Sequence, residues 1–167
     1  MPASFYTLGV RAMHYGRYGS GGEDSRLFPL YIGYPSLVRG YDVTSFDAAE
    51  CATDVTGDCP AIDRLLGSRM LIGNVEFRFP LLRPFGASRN MYGPLPVEVA
   101  LFVDGGVAWN SGERPSLLGG SRGGVSSAGI ALRVNLFGFA VGEFDFVRPF
   151  QRPGRGWIFA FNLTPGW

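Results

Sequence analysis

At 167 residues the chain has the length of one ordinary domain and is too short for a multi-domain machine. Its formal net charge is +1, and it has no basic run, which argues against a nucleic-acid partner. Glycine (25 residues) and aromatic residues (14%) are abundant while only 17% of residues are charged, a composition that favours β-structure with many tight bends. Every uninterrupted apolar run is shorter than the ~20 residues that a membrane-spanning helix needs, so strands are the expected route through a bilayer.

The first predicted strand lies near the start of the chain, from Tyr6 to Tyr18, where residue types alternate with period two. The opening residues, MPASFYTLGVRAMHYG, lack the basic start, apolar centre and cleavage site of a secretory signal. If the protein is exported, we expect its signal to lie upstream and this chain to be a fragment. Residues 19–66 follow as a long loop without a period, far beyond the usual connection of roughly 4 to 6 residues.

The alternation returns five more times and predicts six strands in all. The segment RPFGASRNMYGPLP is predicted as a bend, because its prolines cannot donate ladder hydrogen bonds. A Gly/Ser-rich loop, NSGERPSLLGGSRGG, precedes the fourth strand, and a tight turn at Phe137 and Gly138 joins the fourth strand to the fifth. The five later strands are predicted at 69–82, 97–109, 127–136, 140–146 and 157–163.

The alternation gives each strand an apolar face and a polar face, which alone does not separate a soluble sheet from a membrane barrel. Strands of about ten or more residues, aromatic residues near strand ends, and long loops alternating with short turns favour a transmembrane barrel. Lipid would then cover the apolar face, because a charge there costs ~2 to 4 kcal/mol at mid-bilayer. The residues expected to face a water-filled lumen are Arg11, Glu76, Arg78, Asp104, Arg133, Glu143 and Asp145.

Two cysteines lie within the long loop, whose part between Asp42 and Asp63 also carries six acids. Cys51 and Cys59 lack the CxxC spacing and histidine partners of a zinc site, so we predict a disulfide that closes a small surface loop in an oxidising compartment. The acids between Asp42 and Asp63 offer oxygen ligands for calcium, but their spacing fits no calcium-loop pattern and a solvated surface is favoured. No metal site is predicted. A lone His14 and the absence of GxSxG and HExxH also argue against an enzyme.

Three short segments occur in a specific order along the chain. VRGY, from Val38 to Tyr41, resembles the VRG[YF] motif at the tip of the loop between the eleventh and twelfth strands of BamA-type barrels. GNVEFRFP, at 73–80, looks like the next strand of that family, and FVDGG, at 102–106, looks like its F-x-D-x-G strand. The chain therefore resembles the BamA/TamA-type (bacterial surface antigen) family over essentially its whole length.

The resemblance implies that the VRGY loop folds into the lumen and that Arg39 reaches Glu76 and Asp104. The alternation independently puts both acids on the lumen face. A guanidinium between two carboxylates in a partly desolvated lumen makes charge-assisted hydrogen bonds that would hold the loop in place. The expected site residues are Val38, Arg39, Gly40, Tyr41, Glu76, Phe102 and Asp104.

The last residues, WIFAFNLTPGW, are similar to the C-terminal recognition signal of outer-membrane barrels, in which alternating aromatics end at a terminal Phe or Trp. Phe159, Phe161 and Trp167 would carry that signal. An ordinary edge strand is the alternative, although such an edge exposed in water would invite aggregation.

The expected fold is all-β: an antiparallel up-and-down transmembrane β-barrel segment of about six strands, the C-terminal part of a 16-stranded barrel in this family. In such a barrel residues 19–66 would form a long extracellular loop, and upstream strands and periplasmic domains would be missing here. The resemblance implies a bacterial outer-membrane protein that inserts nascent outer-membrane proteins or translocates a polypeptide, without a cofactor. Its partners would be outer-membrane lipid, that polypeptide and the upstream part of the same barrel. A porin-like or receptor barrel that binds an external ligand is the alternative, and an upstream enzyme or propeller domain is a third reading.

Overall fold

The structure, a computed structural model, describes residues 6–51, 59–81, 97–116, 122–152 and 154–165. Within these residues, six strands form one antiparallel sheet in which hydrogen-bonded neighbours follow chain order. The strands are β1 (Thr7–Gly16), β4 (Arg69–Pro80), β5 (Val97–Trp109), β6 (Val125–Leu136), β7 (Ala140–Pro149) and β8 (Ile158–Pro165). The predicted all-β fold with six antiparallel strands is confirmed.

The long segment between β1 and β4 has secondary structure of its own. A two-stranded sheet pairs β2 (Leu30–Tyr31) with β3 (Leu66–Gly67), and a 3-10 turn spans Val43–Ser45. Two one-turn helices follow, α1 (Ala48–Cys51) and α2 (Pro60–Asp63). In the described part of the chain no helix is long and apolar enough to cross a bilayer.

The turn between β6 and β7 falls where the sequence predicts it. Phe137 and Gly138 both have positive φ, 55° and 80°, and the amide of Phe139 donates to the carbonyl of Leu136 at 3.0 Å. Two consecutive left-handed residues match the right-handed twist of the paired strands, so the hairpin closes without splaying them. The predicted bend at 83–96 lies outside the described residues.

The two faces of the sheet differ sharply in composition. We call the face that carries the long loop the inner face, and the opposite one the outer face. On the inner face Asn74 of β4 lies opposite Asp104 of β5, and Arg133 of β6 lies opposite Glu143 of β7. The outer face is apolar, and many of its side chains are about half exposed: Leu8, Val10, Val75, Leu101, Val103, Ile130, Phe146, Phe159, Phe161 and Leu163.

The long loop packs against the inner face through a hydrophobic cluster. Ile32, Val38, Tyr41 and Leu65 of the loop are at most 1% exposed. They contact strand residues of the sheet, so burial of apolar side chains fixes the loop on the inner face before any charge is considered. The strand residues of this cluster are Met70, Ile72, Ala108 and Val125.

The sheet is open, and its two edges are β1 and β8. Each edge strand has one side without a hydrogen-bonded neighbour in the described residues. Unpaired edges and an apolar outer face both promote association in water. We therefore predict that the 167-residue chain produced alone aggregates in plain buffer and becomes monodisperse only in detergent. Light scattering with and without detergent measures this, and a stable monomer in buffer would contradict it.

Candidate functional site: an arginine on the inner face

Arg39 lies at the tip of the long loop and points onto the inner face of the sheet. Its Nε donates to Asp104 Oδ2 at 2.7 Å, and its Nη2 donates to Asp104 Oδ1 at 3.0 Å, a two-pronged contact with one carboxylate. Nη2 also donates to Glu76 Oε1 at 2.7 Å. The arginine is 6% exposed and Asp104 is fully buried, so these charge-assisted bonds form away from bulk water.

Phe102 completes the seat of the arginine. The Arg39 guanidinium carbon lies 3.4 Å from the centre of the Phe102 ring, which places the cation over the π-face. Phe102 and Asp104 share the inner face because they are two residues apart on β5. The spacing in FVDGG thus supplies one aromatic wall and one carboxylate to the same guanidinium.

Two further residues that the sequence did not single out as site residues belong to this cluster. Glu143 of β7 accepts a hydrogen bond from Arg39 Nη1 at 3.4 Å. Arg133 of β6 donates through Nε to Glu143 at 2.7 Å and through Nη1 to Glu76 at 3.0 Å. Their parity had placed both on the lumen face, but only the strand register shows that they meet Glu76 and Arg39.

Asn74 is the third residue that sequence reasoning missed. Its Nδ2 donates to Asp104 Oδ1 at 2.8 Å and to the carbonyl of Leu37 at 2.7 Å. Its Oδ1 accepts a hydrogen bond from Arg11 of β1 at 2.9 Å. Asn74 therefore links the first strand, the loop backbone and the carboxylate that holds Arg39.

The other residues of the VRGY motif each have a distinct role. Val38 is buried in the hydrophobic cluster between loop and sheet. The hydroxyl of Tyr41 donates to the carbonyl of Ser126 or to Gln151 Oε1, both at 2.9 Å. Gly40 has φ of +86°, and a Cβ at this position would lie 3.1 Å from Val147 Cγ2. A left-handed backbone and a close neighbour thus both require glycine here.

We predict that Gly40→Ala destabilises the folded protein by more than Gly112→Ala does. Both glycines have φ near +87°, but a Cβ at Gly112 would have nothing within 4 Å. The control therefore carries only the left-handed conformational cost of about 1–2 kcal/mol, while Gly40→Ala adds the contact with Val147. Urea unfolding of the two variants measures the difference, and equal losses would contradict this account.

Two acids of the long loop pair with arginines of the segment that follows β7. Arg152 donates to both oxygens of Glu50, at 2.7 and 2.8 Å, and its side chain is fully buried. Arg155 forms an ion pair with Asp47. Sequence reasoning favoured a solvated acidic surface. Glu50 differs, because buried Arg152 lies against it from 102 positions away, whereas the Asp47 side chain is 61% exposed. Among the described residues no group of three or more His, Cys, Asp or Glu is placed to hold a metal ion.

The structure joins Cys51 and Cys59 in a disulfide with a Cα–Cα distance of 4.5 Å. The bridge connects α1 to the residue before α2, so it closes a small loop on the segment that also carries Glu50.

The pairing with Arg152 lowers the pKa of Glu50, chiefly through the hydrogen bonds from its guanidinium. A lowered folded-state pKa stabilises the loop above the ordinary carboxyl range, and this contribution is lost as pH falls through the folded-state value. We predict that the melting temperature of the wild-type protein exceeds that of Glu50→Gln near pH 6 and that the gap narrows below about pH 4. A gap that stays constant across this range would contradict the prediction.

Two of the three predicted C-terminal signal residues lie on the outer face of β8. Phe159 and Phe161 are 56% and 53% exposed, and Phe161 packs against Phe144 of β7 with ring centroids 4.9 Å apart. Trp167 lies outside the described residues. His14, the single histidine, bonds through its ring nitrogens to the carbonyl of Met70 and the hydroxyl of Tyr18, at 2.9 and 2.6 Å.

These features define a class: an antiparallel sheet with an apolar outer face, whose charged inner face holds the arginine of its own loop. A family model described as the Omp85 superfamily domain matches residues 6–166. The chain belongs to the Omp85 superfamily, a family of outer-membrane proteins that insert or translocate polypeptides. No curated protein and no solved structure matches the chain at a significant level.

Proposed function

We propose that this chain belongs to an outer-membrane assembly or translocation barrel of the BamA/TamA type. The observation that carries the proposal is the contact of Arg39 with Asp104 and Glu76, which joins a loop tip to two strands of the inner face. The buried ion cluster fixes this loop on the inner face, because releasing the loop would leave Arg39 and Asp104 without their partners. A loop fixed in this way would keep the strands of the barrel in place while the barrel inserts or translocates another polypeptide.

We further propose that residues 1–167 are the C-terminal portion of a 16-stranded barrel in the bacterial outer membrane, and that upstream strands of the same chain pair with β1. The open edges of β1 and β8 support this, since a spanning sheet must satisfy all of its backbone groups. In the closed barrel β8 would be the last strand and would meet the first strand at a seam. A nascent outer-membrane protein would pair with the barrel at this seam.

This part of the protein would use no cofactor and carry out no catalysis. Three inner-face acids are engaged by arginines: Glu76 and Glu143 both bond to Arg133, and Asp104 bonds to Arg39. A fourth, Asp145, is buried and accepts a hydrogen bond from Asn162 Nδ2 at 3.1 Å. Partners on the proposal are outer-membrane lipid at the outer face and a nascent or translocated polypeptide at the seam.

The test is Arg39→Ala in the full-length protein, with Arg26→Ala as the matched control from the same loop. Arg26 has an 87% exposed side chain and pairs only locally with Asp24. We expect Arg39→Ala to reduce the levels of other outer-membrane proteins while its own barrel stays folded, as shown by heat-modifiable gel mobility. An unchanged outer-membrane protein profile would instead favour a porin-like or receptor barrel whose loops bind an external ligand.

A further inference from the structure

Beyond the Arg39 cluster, the last two residues of the VRGY motif are held by a different part of the chain. Gln151 and Arg152 lie two and three residues after the end of β7, in the connection to β8. Arg152 Nη1 donates to the carbonyl of Gly40 at 2.7 Å. The amide of Gln151 donates to the hydroxyl of Tyr41 at 3.1 Å. The motif is therefore contacted from two sides.

Arg152 is saturated with loop partners. Besides the Gly40 carbonyl and both oxygens of Glu50, it donates to Ser45 Oγ at 2.8 Å and to the Ser45 carbonyl at 2.7 Å. Its guanidinium carbon lies 3.9 Å from the centre of the Phe46 ring. At 3% exposure, a buried arginine with only one carboxylate partner requires such a full set of acceptors.

The bond to the Gly40 carbonyl depends on the left-handed backbone of that glycine. Because Gly40 has φ of +86°, the chain turns sharply between Arg39 and Tyr41. Arg39 then points to Asp104 while the next carbonyl points to Arg152. Adjacent residues of the loop are thus held by different parts of the chain: Arg39 by Asp104 of β5, and Gly40 by Arg152 of the connection that follows β7.

We infer that Arg152, supported by Gln151, is a second anchor of the VRGY loop and a positioning residue for Arg39. Gln151 fixes the base of this anchor, since its Oε1 accepts from the Ser126 amide of β6 at 2.6 Å and its Nε2 donates to Ser126 Oγ at 3.1 Å. The connection between β7 and β8 therefore holds the loop tip. A movement of these two strands would change the position of Arg39, because the connection is bonded to the two residues that follow Arg39. This consequence for assembly rests on the proposed function, whereas the anchor itself does not.

The experiment uses trypsin, which cleaves after arginine, on the full-length protein in membranes. Cleavage after buried Arg39 requires the loop tip to leave the inner face, whereas cleavage after exposed Arg26 does not. We expect Arg152→Ala to raise the rate of cleavage after Arg39, relative to that after Arg26, by at least about tenfold. Arg155→Ala is the matched control from the same connection, because its side chain is 33% exposed and its one ion pair within the described residues is with exposed Asp47. It should leave the ratio unchanged.

Two further variants separate positioning from general damage. Arg152→Lys keeps one charged donor for Glu50 and should restore part of the protection, and Glu50→Gln should give an intermediate ratio in a barrel that folds normally. General unfolding would raise cleavage at sites in the strands as well, which heat-modifiable mobility would reveal. Cleavage after Arg39 at the wild-type rate in both Arg152→Ala and Glu50→Gln overturns the anchor, whatever the assembly assay shows. Faster cleavage with unimpaired assembly supports the anchor and counts against the proposed function alone.

Discussion

Replacing Arg39 by alanine is expected to destabilise the folded protein by about 3–5 kcal/mol, the range for removing one partner of a buried ion pair. Most of this loss of stability comes from Asp104, because its carboxylate is fully buried and has no other cationic partner in the described residues. Glu76 keeps Arg133 and Arg78, so its charge stays compensated. The measurement is the free energy of unfolding in urea for the full-length protein in detergent or lipid.

A double substitution distinguishes two causes of this destabilisation, the unpaired carboxylate of Asp104 and the lost packing of the Arg39 side chain. If the cost arises from an unpaired carboxylate, Arg39→Ala combined with Asp104→Asn should be less destabilised than the sum of the two single variants, by about 0.5–3 kcal/mol. Arg26→Ala, which removes an exposed arginine of the same loop, should leave the free energy of unfolding almost unchanged. Strict additivity between Arg39 and Asp104 would mean that the short distances contribute little energetic coupling.

The sheet was predictable because each strand carries a period-two pattern over about ten residues. This pattern also fixes which residues share a face: Glu76 on β4 and Asp104 on β5 lie on the inner face together, as parity requires. Parity does not fix register. That Asn74 stands opposite Asp104, and Arg133 opposite Glu143, follows from the pairing of strands, which depends on turns and on packing of the whole sheet.

The interior of the long loop was beyond sequence reasoning for two physical reasons. Its strands β2 and β3 have two residues each, too few to show a period, and they pair across more than thirty intervening residues. The contact between Arg152 and Glu50 joins positions that are 102 apart, and nothing in either local sequence points to the other. The resemblance to the VRG[YF] motif identified Arg39 from the sequence. The reasons for Gly40 and Tyr41 became visible only in the fold, which places Val147 next to Gly40 and Gln151 next to Tyr41.

The assignment of the outer face to lipid can be tested by one arginine. Ile130 lies at the middle of β6, is 48% exposed, and is flanked on neighbouring strands by Leu101 and Phe146. If hydrocarbon covers this face, Ile130→Arg should destabilise the protein by about 2–4 kcal/mol, because the new charge would lie near the bilayer midplane. If water covers it, the same substitution should change stability by less than about 0.5 kcal/mol.

The depth dependence supplies the control. Phe137, at the turn between β6 and β7, is 81% exposed and lies at the end of the strands, where an arginine in a bilayer costs about 0–1 kcal/mol. The free energy of unfolding of both variants is measured in urea with the protein in lipid vesicles. If Ile130→Arg lowers it strongly and Phe137→Arg only slightly, the polarity of the surrounding medium changes along the strand. Water has no such gradient, so two small losses would show that hydrocarbon does not cover the outer face, and the proposal of a membrane barrel would fail.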